Sequence, residues 1–513
     1  MAPPGTPLLY PKPHRAGQGA HPHEVYFRAG GFTVRYVPSI GMEVHAQLLT
    51  ESKMFCACPT RFGDAPNTNV CPICLGLPGT LPVPNRKAVE HVIRTALALN
   101  CRIAPVALFY RKNYFYPDLP KGYQISQYGE VHPIGTQGYL EMVVNGERKR
   151  VRIKRVHLEE DTGKLLHYLP GESEVDYNRA GVPLMEIVTD FPPDLHSPEE
   201  AKEYLLQLRA ILTYLGVCDG KMEEGSLRCE PNISVAPEDS PTLGVKTELK
   251  NLNSFRAVVR GVEFEVNRQI ALLERGEPVV QETRGWNEES GYSFPMRTKE
   301  YEQDYRYFPE PDIVPIQISE EWLTTLRATL PELPLAKWER YQREYQLSAY
   351  DASVLTADYE TAMFFEGCIA HGCEPKAACN WITVELAGRL NEDNKRIGDT
   401  PLTPAHLADL LTLLKNGTIS GRIAKELFDE VYQTGRMPSE IVRERGLTQI
   451  SDEQVLRTAV QKVLDENPDA VQKYRGGKTG VLGFLVGQVM KATQGRANPQ
   501  RVQELLREEL ERV

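Results

Sequence analysis

Apolar residues recur along this chain with two periods. At Ala201, Leu205, Leu208, Ile211, Leu212 and Leu215 they follow helical spacing, behind a start signal of Ser197, Pro198 and Glu200 and ahead of Gly216. The spacing predicts a packing helix there, and Asn85 caps a second one with Val89, Val92, Ile93, Ala96 and Leu99 on one face. In ERKRVRIKRVHLEED the period is two: Arg150, Arg152 and Lys154 face one way and Val151 and Ile153 the other, a strand with one basic side. It runs directly into a group of carboxylates. From Val37 onward, short β-branched runs broken by Gly and Pro dominate, and from about Glu320 the pattern is helical almost to the end. The expected fold class is α+β, a mixed body followed by an α-rich half, with YFPEPDIVPIQIS and GDTPLTP as candidate joints. Residues 1–35, rich in Pro, Gly and His, carry no period and read as an extension.

Length and charge narrow the function. At roughly 100–200 residues per domain, 513 residues predict about three domains, which excludes peptide hormones, lone binding modules and disulfide mini-proteins. The balance of 69 acidic against 59 basic residues, net −10, argues against coating nucleic acid with bulk positive charge. Contact with nucleic acid would be local. Between Lys473 and Val513 eight Lys or Arg oppose four Glu, and Gly476, Gly477, Gly480, Gly483 and Gly487 either admit a ribose-phosphate backbone or pack helix ends. No apolar run is long enough to span a membrane and the start has no secretory core, so a cytoplasmic protein without a membrane partner is expected.

Without a secretion signal, the ten cysteines read as reduced thiols or metal ligands. Cys56 and Cys58, with Cys71 and Cys74, give two close thiol pairs in loop-like sequence, the donor set of a structural tetrahedral zinc site. Four unrelated reduced cysteines are the alternative. Harder metals need carboxylates and imidazole on an open face, which IGMEVHAQ, HLEED and PLMEIV supply. Glu43 and His45 share a strand face; Glu159, Glu160 and Asp161 are consecutive; Glu186 interrupts an apolar run, where a carboxylate needs a cation or a donor. Ordinary ion pairs at a sheet edge remain the other reading. KYRGGKTG lacks the first glycine of a phosphate loop, Cys229 lacks the small neighbours of a nucleophile elbow, and His157 with Glu159 and Glu160 does not space as a zincin motif.

At this point longer segments carry a resemblance. IGMEVHAQL, NTNVCPICLGLPGTLPVPN, RKNYFYPDLPKGYQISQY, HLEEDTGK, DYNRAGVPLMEIV, EEGSLRCEPNISV, ELKNLNSFRAV and DYRYFPEPDI resemble, in order, the hallmark segments of the B-subunit family of the aspartyl/glutamyl-tRNA amidotransferases. The resemblance runs from about Val37 to the C-terminus. It implies a cradle-shaped, kinase-like domain over 36–322, a helical domain over 323–400 and a small α-helical tail similar to YqeY proteins over 401–513, the tail binding tRNA. It further implies a heterotrimer with an amidase (glutaminase) partner, the A subunit, and a small third partner, the C subunit, with a non-discriminating aminoacyl-tRNA synthetase as a further partner.

The implied reaction is ATP-dependent phosphorylation of the side-chain carboxylate of Glu-tRNA(Gln) or Asp-tRNA(Asn), followed by amidation. By match to the family, His45, Glu160 and Glu186 are the expected Mg²⁺ ligands, with Glu43 and Glu159 as neighbours or water-mediated ligands. Adjacent strand residues face opposite ways, so the choice of Glu160 over Glu159 depends on register. Arg111, Lys112 and Lys121, held among Tyr and Pro, are the expected nucleotide or phosphate contacts, with Lys112 foremost. None of the chain matches the Gly/Ser-rich segment of an amidase, so ammonia is expected from another polypeptide. The family usually has Asp where Glu230 stands. Two competing readings are a zinc-stabilised tRNA-binding scaffold and a stand-alone metallohydrolase.

Overall fold

The computed structural model describes residues 25–29, 32–129, 132–166, 172–298, 305–447, 453–493 and 495–511. Most of the expected extension over 1–35 lies outside them. Two compact units divide the chain, Met1–Ala336 and Lys337–Val513.

The first unit is built on a ten-stranded sheet of β1 (Val25–Ala29), β2 (Phe32–Gln47), β3 (Arg102–Ile103), β4 (Gly135–Val144), β5 (Glu147–Glu160), β6 (Pro183–Thr189), β7 (Leu227–Pro237), β8 (Thr247–Lys250), β9 (Glu282–Asn287) and β10 (Tyr292–Thr298). The order across it is β10-β9-β8-β7-β2-β6-β5-β4-β3, with β1 added to β2 as a hairpin partner. All pairings are antiparallel except β8 with β9. The alternation in β2 explains its two environments. Ile40, Met42, Val44 and Ala46 are buried in the core, and Gly41, Glu43, His45 and Gln47 point to the other face.

Helices α1 (Arg86–Ala98), α2 (Pro198–Tyr214) and α3 (Phe255–Glu274) cover the apolar face. Their starts follow the expected caps. Asn85 accepts from the Lys87 and Ala88 amides, and Ser197 from the Glu200 amide. Strand β5 also forms as expected, with Val151 and Ile153 fully buried and Arg150 and Arg152 paired to Glu141 and Asp194.

The second unit is helical and holds two separate apolar cores, one drawn from residues 341–442 and one from 456–510. The mixed sheet unit and the helical unit together make the chain α+β. The first helical core continues across residue 400, taking Ile382 and Leu386 from one side and Leu402 and Leu407 from the other. GDTPLTP is therefore no joint between cores: Pro404 stands in the first turn of the Pro404–Lys415 helix, where its missing N–H costs nothing. KYRGGKTG closes the helix Pro468–Arg475 and forms the turn into the helix Val481–Ala492. Among the described residues no helix is long and apolar enough to cross a membrane.

Candidate functional site

Strand register builds the site. His45 of β2 lies opposite Glu186 of β6 on one side and Arg228 of β7 on the other, and Glu186 in turn lies opposite His157 of β5. Two residues along, Glu43 faces Glu230. Period-two alternation turns all of these to the face away from the core helices, into a cavity of about 950 Å³. Lys112, Ser126, Glu159, Glu248, Lys250, Tyr305 and Tyr307 also line it.

His45, Glu159 and Glu186 each offer a ligand atom within 4.8 Å of one another. The expectation that Glu160 would complete this group is corrected. Glu159 shares a face with His157, and Glu160, one residue on, turns away: it accepts from the Ile125 amide at 2.9 Å and pairs with Lys121 at 2.5 Å. Glu159 is held by the Ser126 hydroxyl at 2.9 Å, with His45 Nε2 at 3.7 Å. Glu43 sits beside the group, accepting from Asn232 Nδ2 at 2.9 Å.

Electrostatics favour a cation here. Burial alone would raise Glu186, but His157 at 2.7 Å, with His45 and Arg155, holds its carboxyl well below the usual range. Burial disfavours a charged His157, yet Glu186 and Glu159 raise it. Two ionised carboxylates and an imidazole at this spacing suit a hard divalent ion that keeps several waters.

The three expected cations separate. Lys112 reaches the cavity, stacked over Tyr305 at 4.8 Å; burial works against its charge, and Tyr307, Glu159, Tyr114 and Glu186 together keep it above the ordinary lysine range. Arg111 does not line the cavity, because Glu310 takes its guanidinium at 2.6 and 2.8 Å and Asp312 at 3.2 Å. Lys121 does not line it either, being spent on Glu160. Cys229 is 3% exposed on the core face, which removes it as a nucleophile.

The functional face also holds residues that are not among the expected site residues. His157 fits no zincin motif, yet its two-residue spacing from Glu159 signals a shared face. Arg228, Glu230 and Asn232 alternate in RCEPN in the same way. Arg228 donates to buried Asp161 at 2.7 Å, and Lys250 pairs with Glu230 at 2.7 Å and Glu248 at 3.5 Å. Glu248 and Lys250 flank buried Leu249 in ELKNL with the same two-residue spacing, and pairing of β8 with β7 and β9 places them in the site.

The four expected cysteines converge as well. Cys56, Cys58, Cys71 and Cys74 bring their sulfurs within 4.8 Å of one another, Cys71 to Cys74 at 3.9 Å. Zinc–sulfur bonds in a tetrahedron put sulfurs about 3.8 Å apart, so the donor set fits. Hydrogen bonding from Cys56 and the Cys71 amide, with Lys53 nearby, holds the Cys74 thiol well down against its burial.

The chain is similar to known proteins along nearly all of its length. Residues 38–324 match the GatB/GatE catalytic domain and residues 363–510 the GatB domain of the GatB_Yqey family. The B subunit of the aspartyl/glutamyl-tRNA(Asn/Gln) amidotransferase of Thermodesulfovibrio yellowstonii is 54% identical over 92% of this chain and 99% of its own length. The proteins of the same name from Caldanaerobacter subterraneus subsp. tengcongensis and Persephonella marina are 56% and 50% identical, each over 93% of this chain and 100% and 99% of their own lengths. With one family match spanning more than half its length and relatives of this identity along nearly all of it, the chain belongs to the GatB/GatE family.

Proposed function

We propose that this chain is the B subunit of a tRNA-dependent amidotransferase, a carbon–nitrogen ligase. It uses ATP to phosphorylate the side-chain carboxylate of Glu-tRNA(Gln), Asp-tRNA(Asn) or both, and passes the activated acyl group to ammonia. The observation that carries this reading is the meeting of His45, Glu159 and Glu186 with Lys112 in one cavity.

A carboxylate resists ammonia because its leaving group would be oxide; as an acyl phosphate it loses phosphate instead. Phosphoryl transfer asks a protein for position and for charge opposite the phosphate oxygens, not for a covalent nucleophile. A divalent ion, Mg²⁺ in this reading, supplies that charge when bound. His45, Glu159 and Glu186 would hold it, replacing Glu160 in the expected set. Ser126 fixes one oxygen of Glu159, and His157 donates to Glu186, so both carboxylates are oriented before any ligand arrives. Lys112 keeps an ammonium facing the same space and would meet nucleotide or phosphate oxygens; Glu43 would orient bound water. Arg111 and Lys121 act on the wall, through Glu310 and Glu160.

The remaining parts follow the same reading. The cysteine centre holds structural Zn²⁺, with no coordination position left for water. The amidase and the small third partner assemble with this chain in the cytoplasm, ammonia coming from the amidase, and a non-discriminating synthetase supplies the charged tRNA. The sheet unit serves as the kinase-like cradle over 36–322; the helical unit, whose first core continues across residue 400, supplies the connecting part and the YqeY-like tRNA-binding part. The test is ATP-to-ADP turnover by the assembled complex with charged tRNA. Glu186→Gln should abolish turnover while tRNA affinity stays near that of the unaltered complex; retained turnover would overturn the assignment.

A further inference from the structure

Lys53 is 1% exposed, although an ammonium is among the costliest groups to bury. Among the described residues its Nζ has two polar partners, the Tyr177 carbonyl oxygen at 3.1 Å and Cys74 Sγ at 3.7 Å. Neither is a carboxylate. The other lysine buried to this degree among them, Lys337, meets Glu366 at 2.6 Å, and the nearly buried Lys121 meets Glu160. Lys53 alone of these three has no carboxylate within ion-pair distance and directs its Nζ to a carbonyl oxygen and a cysteine sulfur.

The backbone fixes this arrangement. The Lys53 amide donates to Cys58 O at 2.9 Å and the Met54 amide to Gly181 O at 2.7 Å, joining the lysine to the thiol loop and to the segment before β6. Gly181, at φ +86°, takes the left-handed turn that brings that segment over the stem, and its Cβ position lies at ordinary contact distance, 3.5 Å from Lys53 Cδ and 3.6 Å from Cys74 Cβ. The ammonium is thus led along a packed path to a sulfur. Four thiolates around a divalent ion sum to two negative charges, and Cys74, the buried member of the four, faces Lys53.

We propose that Lys53 is the built-in counter-ion of the cysteine centre, donating an N–H···S hydrogen bond to Cys74 and holding a divalent metal tetrathiolate at one net negative charge instead of two. This rests on the reading of the four cysteines as a metal centre. Offsetting one charge makes the sulfurs poorer bases and poorer nucleophiles, so the ion is retained against protons, chelators and electrophiles. Lys53 acts through the thiolates and is a positioning residue, not a ligand.

The experiment uses the full-length chain loaded with zinc or with cobalt(II). Lys53→Met should release zinc to a chromogenic chelator about 10-fold faster or more, the size of effect that outer partners of metal ligands have. In the cobalt form its sulfur-to-cobalt charge-transfer band should move to lower energy, because the thiolates become more electron-rich. Lys53→Arg, which keeps the charge, should recover part of both. Equal release and an unmoved band in Lys53→Met would overturn the inference while leaving the metal reading intact. Should Lys53→Met not fold, ¹⁵N-lysine labelling of the unaltered zinc-loaded chain decides. The Lys53 resonance should be an ammonium with slowed hydrogen exchange, and a neutral amine or a freely exchanging group there overturns the inference. A chain that takes up neither zinc nor cobalt overturns the metal reading and this inference together.

Discussion

Glu159 and Glu160 are chemically identical neighbours that the sheet assigns to opposite duties, and substitution separates them. Glu159→Gln removes a charge from the group with His45 and Glu186, so the Mg²⁺ concentration needed for half-maximal ATP turnover should rise by more than the about 10–100-fold that outer partners cost. Glu160→Gln leaves that group whole and instead strands Lys121, whose side chain is 10% exposed. Its cost should appear as about 3–5 kcal/mol of lost stability in thermal unfolding, with the Mg²⁺ requirement nearly unchanged. His157→Ala tests the outer partner directly. Glu186 loses its 2.7 Å donor, and the Mg²⁺ requirement should rise by about 10–100-fold while the cysteine centre keeps its metal.

At the scale of elements, the two metal constellations are made by different means. The carboxylate group comes from three adjacent strands, so it forms wherever β2, β5 and β6 pair in register. The cysteine group comes from loops, and its neighbours depend on turn chemistry. Gly76 follows Cys74 by two residues at φ +67°, and a Cβ there would run into the Lys121 stem. Gly76→Ala should therefore cost more than about 1 kcal/mol, read as a lowered unfolding midpoint, and should loosen Lys121 from Glu160. Alternation made much of this legible. HLEED, RCEPN and IGMEVHAQ each carry their functional residues two apart, which puts them on one strand face. The side on which Glu159 and Glu160 fall was not legible, because a slip of one residue exchanges them without changing the pattern. Glu248 and Lys250 stand two apart as well, but β8 is four residues long and joins the site through its neighbours, so that spacing alone did not say which face they share.

For the whole molecule, the division of cores decides how it can be cut. A chain ending at Ala336 keeps the sheet core entire, so it should fold, bind cobalt at the four cysteines and show weaker tRNA affinity than the full chain. A chain ending at residue 400 keeps Ile382 and Leu386 but lacks Leu402, Leu407 and Phe428, which complete the same core. Limited proteolysis should degrade its helical remainder and stop near residue 336. Equal resistance in the two helical portions would show that the core tolerates the cut. The −10 net charge belongs to the same scale, since it hides a local basic excess after Lys473. If that region carries tRNA, affinity should fall with rising salt and lose its steepness on removal of the helical unit.

The sequence by itself determined the local order of this protein. Helix starts at Asn85 and Ser197, the alternation in β2 and β5, the cysteine quartet and the candidate acids are all written in residue types and spacings, because caps, periodicity and metal-donor chemistry act over a few residues. Only the tertiary structure decided which acids meet, which lysines are spent on carboxylates and where one core ends. These follow from strand register and from burial between segments distant along the chain, where a shift of one position reverses a side chain and no local pattern records the partner.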